Sequence, residues 1–72
     1  MPWPRDFSPE LGELIERSCT EKEVQVMQMK ARGFGTRRMA RALGISRSAI
    51  VERLENAERK IKQEVAAMRG LT

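Results

Sequence analysis

The chain has 72 residues, 33% of them charged and only 4% aromatic, with a net charge of +4. It has no His, no Tyr and one Cys, which excludes metal sites built on His or paired Cys, His-assisted nucleophiles and an intramolecular disulfide. A chain this short forms one domain at most, and its abundant Ala, Leu, Met, Glu, Lys, Arg and Gln beside sparse β-formers favour an all-α bundle.

Residues 1–8 are Pro-rich and read as an extended arm, with Trp3 and Phe7 expected to dock on the bundle. Two early prolines and no apolar run argue against a signal peptide. No stretch approaches the roughly 20 apolar residues of a transmembrane helix. A soluble, cytoplasmic protein is expected, and the lone Cys agrees weakly with a reducing compartment. Ser8, Pro9 and Glu10 form a helix start, with Ser as N-cap, Pro at the first position and an acid in the first turn. That helix runs to about Arg17 and gathers Leu11, Leu14 and Ile15 on one side.

Thr20 and Glu23 form a capping box for a second helix, which runs to about Arg32 and stops at Gly33. Val26, Met27 and Met29 fall near core spacing, and Cys19 reads as a small buried hydrophobe. Thr36 is expected to cap a third, short helix to about Leu43, with Met39, Ala40 and Leu43 inward and Gly44 at its end. Ser46 caps a fourth helix with no breaker before Gly70. Its apolar stripe is Ile50, Leu54, Ala57, Ile61, Val65 and Met68, spaced by threes and fours along an amphipathic helix of about six turns.

The segment from Thr36 to Glu55 carries the functional signal. Two helices crossing steeply need a small residue at the crossing, which Ala40 supplies. The turn between them needs a residue tolerant of positive φ, which Gly44 supplies. Ile45 plugs the core beneath the turn, and Ile50 anchors the second helix on the first. Ser46 leaves the second helix capped and exposed at its N-terminus, as a helix entering a major groove requires. The frame is that of a four-helix helix-turn-helix bundle with a long C-terminal helix: arm 1–8, DNA-binding domain 9–69 with the helix-turn-helix at 36–55, tail 70–72. Gly33, Phe34 and Gly35 are not a phosphate loop, because no Lys-Ser/Thr pair follows them. No enzyme activity, cofactor or metal is expected.

Charge follows the same division. Residues 1–29 hold three bases and six acids, net −3, whereas residues 30–62 hold ten bases and three acids, net +7. A basic segment attracts phosphate polymers through counterion release.

The run from Cys19 to about Ile61 resembles the fourth conserved region of bacterial sigma factors and the DNA-binding domain of LuxR-type regulators. Its phrases are Thr20 to Glu23 with Val26 and Met27; Ala31 to Phe34; Met39, Ala40 and Leu43 to Ser46; and Ile50, Arg53, Leu54, Ala57 and Ile61. The resemblance implies a transcriptional regulator that puts its fourth helix into the major groove of double-stranded DNA. Carried over by position, it implies that Arg47, Ser48, Val51, Glu52 and Glu55 face the bases. Thr36, Arg37, Arg38 and Arg41, with Ser46 and Arg53, would face the backbone. Arg47 suits guanine O6 and N7, Ser48 either base edge or phosphate, and Val51 a thymine methyl. The resembling families often place a basic residue where this chain has Val51. Glu52 and Glu55 depart further: each either accepts from cytosine N4 or forms an intrahelical ion pair, Glu55 with Arg59 for example.

Ile61, Val65 and Met68 extend the apolar seam beyond what the helix-turn-helix needs. The seam either folds back on Leu11, Leu14 and Ile15 or pairs with a second chain, and a homodimer through the C-terminal helix is expected. No promoter-melting, receiver or ligand-sensing region accompanies the module, so a stand-alone regulator of a phage or bacterium, or a piece of a longer protein, is expected. Two other roles remain open on the same fold. One is a phage DNA-packaging subunit of the small-terminase kind or a recombination accessory subunit. The other is a protein module that docks on RNA polymerase or sigma partners.

Overall fold

The computed structural model describes residues 8–70 as four helices: α1 (Pro9–Ser18), α2 (Glu21–Ala31), α3 (Thr36–Leu43) and α4 (Arg47–Gly70). The expected arm, with Trp3 and Phe7, lies outside the described residues save for Ser8, as do Leu71 and Thr72. Helix α4 is the spine, with α1, α2 and α3 all packed against it. It runs through Gly70, one residue past the expected domain end. No helix among the described residues is long and apolar enough to cross a membrane.

Local chemistry starts the helices much as the residues imply. The Ser8 Oγ accepts from the Leu11 N–H at 3.1 Å, with Pro9 at the first helical position. At α2 the box closes both ways: Thr20 Oγ1 accepts from the Glu23 N–H at 3.3 Å, and Glu23 Oε1 accepts from the Thr20 N–H at 2.9 Å. The Ser46 Oγ accepts from the Ala49 N–H at 3.1 Å and caps α4.

Helix α3 departs from expectation. Its N-cap is Gly35, extended at φ −80° and ψ 167° and without a side-chain cap, and Thr36 is already the first helical residue. The cause lies one turn upstream. Gly33 takes φ 92° and closes α2, with its N–H bonded to the Lys30 carbonyl at 2.9 Å and the Phe34 N–H to the Met29 carbonyl at 3.0 Å. That paired closure turns the Phe34 side chain under the helix end, against the core. With Phe34 held there, the extended Gly35 falls at the N-cap, and the helix begins one position before a Thr36 cap would allow.

The second turn uses the same device. Gly44 sits at φ 66° and ψ 33°, the Ile45 N–H bonds the Ala40 carbonyl at 3.1 Å, and Ile45 folds inward. The core beneath these turns is Val26, Met39, Ala40 and Ile50, with Met29, Phe34, Leu43, Ile45 and Leu54 packed against it. Ala40 is buried, as the crossing requires, and Ile50 and Val26 are wholly so. Met27 is only half-buried. On the far side of α4, Leu14 and Ile15 of α1 are buried, and Ala57 of α4 is fully enclosed. Much of the apolar seam therefore folds back on α1.

A Cβ built on Gly44 meets nothing within 4 Å, so only its left-handed backbone opposes a side chain. Gly44→Ala is expected to cost about 1 kcal/mol, a fall in melting temperature of roughly 4–8 °C. Calorimetry measures this, and the same substitution at Gly35 (φ −80°) should cost markedly less.

Candidate nucleic-acid interface

Helix α4 turns by about 100° per residue, so its first two turns divide cleanly. Ile50 and Leu54 point into the core. Arg47, Ser48, Val51, Glu52 and Glu55 are exposed and together line one open surface depression. All five residues proposed as base readers are thus on a single face. Val51 is 43% exposed in the midst of four polar side chains. Arg53 does not join them: it is half-buried and lies about 170° round the helix from the middle of that face.

On α3 the arginines separate into two groups. Arg37 and Arg41 are one turn apart on the same exposed face. Arg38 leans the other way and lies over the Phe34 ring, 4.0 Å from its centroid. This cation–π contact orients the guanidinium and covers the half-buried ring. The signal for it in the sequence is an aromatic residue four positions before an arginine at a helix start. Thr36 is half-buried at the head of α3. Ser46 is exposed, but its Oγ is already occupied as an acceptor by the helix cap. Its hydroxyl proton remains able to donate.

The basic segment does not all face outward. Lys60 Nζ donates to Glu23 Oε1 at 2.7 Å, joining the head of α2 to the middle of α4. Glu23 is only 7% exposed. Burial pushes its carboxyl pKa up, but the Lys60 hydrogen bond and the Thr20 N–H, with the nearby ammonium charge, outweigh that and hold it below the ordinary range. Beside it the half-buried Cys19 Sγ reaches the Ala57 carbonyl at 3.9 Å. Burial, with the neighbouring Glu23 charge, raises its thiol pKa, in keeping with an inert packing residue. Lys30 pairs with Glu58 at 2.9 Å in an exposed bridge that contributes little, although its hydrogen bond lowers the Glu58 pKa. The Arg59 guanidinium donates to Asn56 Oδ1 at 3.0 Å, and the ion pair with Glu55 is not formed. Neither Glu52 nor Glu55 is in an ion pair among the described residues.

Because the folded-state pKa of Glu23 is lowered, its stabilisation is complete above the ordinary glutamate range, near pH 4.3, and is lost as pH falls through the lowered value. Melting temperature should therefore hold between about pH 5 and 7 and fall in acid. Glu23→Gln should shrink that acid-dependent loss. Lys60→Met leaves a buried carboxylate unpaired and should cost about 1.5–3 kcal/mol at neutral pH. Duplex affinity of Lys60→Met, measured well below its melting temperature, should stay within about twofold of wild type, since Lys60 is turned inward.

Against known families, residues 17–67 match the GerE description, bacterial regulatory proteins of the luxR family. No curated protein and no solved structure matches the chain. The family is one of DNA-binding regulators and not an enzyme family. The match spans α2, α3 and most of α4, whereas all but the last two residues of α1 precede it. A helix-turn-helix with an exposed polar face, matched over more than two thirds of its length, belongs to the luxR family of bacterial regulatory proteins.

Proposed function

We propose that this chain is a sequence-specific regulator of transcription, acting in the cytoplasm. Within a DNA-binding domain of residues 9–69, the first two turns of α4, from the Ser46 cap onward, enter the major groove of double-stranded DNA. The observation that carries this reading is the grouping of Arg47, Ser48, Val51, Glu52 and Glu55 on one exposed face. Val51 gives it a particular point. An apolar side chain left 43% exposed within a polar face gains from a thymine methyl what it cannot gain from water.

Arg47, at the N-terminal end of α4, has the fork geometry to take guanine O6 and N7 together. Arg37 and Arg41 lie on one face of the supporting helix and suit phosphates, which position the module without reading sequence. Thr36, at the head of an α3 that has no side-chain cap, is placed for the same role. Arg38 and Ser46 complete the backbone set, with Arg38 presented from the Phe34 ring, whereas Arg53, on the other flank of α4, is left out of it. Glu52 and Glu55 act as a filter: where cytosine presents its amino group they accept a hydrogen bond, and elsewhere they repel phosphate and lower non-specific affinity. Two copies present two such faces, as a homodimer joined at the far end of α4.

Titration of labelled duplex at several salt concentrations tests the reading. Wild type should bind any duplex weakly and lose affinity steeply with salt. Arg41→Ala should weaken every sequence alike and lower the log–log salt slope by about 1. Arg47→Ala should cost about 1–3 kcal/mol on a preferred site and relax its specificity. Unchanged affinity of both variants at low salt refutes the proposal. Capture of a polymerase subunit by a chain that binds no duplex would support the protein-docking role instead.

A further inference from the structure

The proposed reading face ends at Glu55, but the exposed side of α4 continues. Glu55 lines the depression it shares with Arg47 and Val51. It also lines the next one along the helix, with Glu58, Arg59, Lys62, Gln63 and Ala66. At 100° per residue, Val51, Glu55, Arg59 and Lys62 fall within about 80° of one another, so the two depressions form one strip.

The cations on this strip are not consumed by the fold. Their neighbours are: Glu58 is bonded to Lys30, and Lys60 to Glu23. Arg59 and Lys62 are exposed, and neither is in an ion pair among the described residues. The Arg59 guanidinium donates to the neutral Asn56 Oδ1 at 3.0 Å. That bond leaves its charge uncancelled and draws it to the side of α4 away from Glu55. From Arg47 to Lys62, the exposed charges of α4 run base, acid, acid, base, base: Arg47, Glu52, Glu55, Arg59 and Lys62.

We propose that Arg59 and Lys62 form a further phosphate-binding site, which takes the DNA backbone at the rim of the groove that the first two turns of α4 enter. The inference rests on the major-groove reading above and extends the contact by about two turns. Phosphates repel carboxylates and attract cations, whereas cytosine edges accept a carboxylate. The order of charge therefore fits a helix whose acids lie over bases and whose next turns cross a strand. Length adds a constraint. Arg59 lies about 18 Å from Arg47 along the axis, and a major groove is about 8.5 Å deep. An α4 standing end-on would lift Arg59 and Lys62 clear of the strands, so the site requires α4 to lie obliquely along the groove. Contacts to phosphate alone add affinity without sequence preference.

Titration of the full chain with a preferred duplex and with an unrelated one, over a range of salt, tests the site. Arg59→Ala and Lys62→Ala should each weaken both duplexes roughly threefold and lower the log–log salt slope by about 1, and the double variant should lower it by about 2. Both are exposed helix positions where Ala is well tolerated, so the variants should keep wild-type helicity by circular dichroism. The double variant should select the wild-type consensus from a random pool. Lys22→Ala removes an exposed cation beside Glu23, on the opposite flank of α4, and should leave the slope unchanged. Wild-type slopes for the Arg59 and Lys62 variants, beside an Arg41→Ala that lowers the slope, overturn this site and leave the groove reading standing. A slope lowered as much by Lys22→Ala also overturns it, because net charge and not position would then be at work. So does an altered consensus from the double variant. A wild type that binds no duplex overturns both readings together.

Discussion

The direction in which α4 leaves the turn depends on Gly44. Its left-handed backbone, at φ 66°, lets the Ile45 N–H return to the Ala40 carbonyl and tucks Ile45 against the core. From that point Ser46 can cap the next helix and Ile50 can bury completely. Once Ile50 is inward, the 100° step of the helix turns Ser48, Val51, Glu52 and Glu55 outward, and Arg47 is exposed at the helix start beside them. The proposed reading face is therefore a consequence of the turn. A side chain at Gly44 would strain that turn, although it has room to stand there.

This dependence explains what could be seen in the sequence and what could not. Caps, glycine stops and apolar spacing are local, and they identified the four helices, the Thr20 and Glu23 box and the buried positions Ala40 and Ile50. The first helical residue of α3 was misplaced because it depends on Phe34 being held against the core, a tertiary event. The destinations of long charged side chains were the least legible. Lys60 looked like part of a basic surface and instead joins α4 to Glu23, and Arg59 reaches Asn56 rather than Glu55. Arg53 was grouped with the DNA contacts by chain position, yet it stands on the other flank of α4.

Once two lysines are spent on the fold, the electrostatics look different. Lys30 and Lys60 both pair across α2 and α4, one at each end of α2, but only the Lys60 pair is sheltered enough to brace α4. The Glu23 bond is the more consequential, since it is largely buried and also closes the α2 cap. What faces outward at the helix-turn-helix is a small set: Arg37, Arg38 and Arg41 on α3, and Arg47 at the start of α4, with two acids one and two turns on. Under the proposed function, such a surface offers modest general attraction to phosphate and strong dependence on finding the right bases.

Selection of duplexes from a random pool tests that balance most directly. Wild-type protein should enrich one consensus that includes a guanine. The same selection with Arg47→Ala should lose preference at that guanine while keeping the rest of the site. Identical consensus sequences from the two proteins, or no enrichment from wild type, would contradict the account.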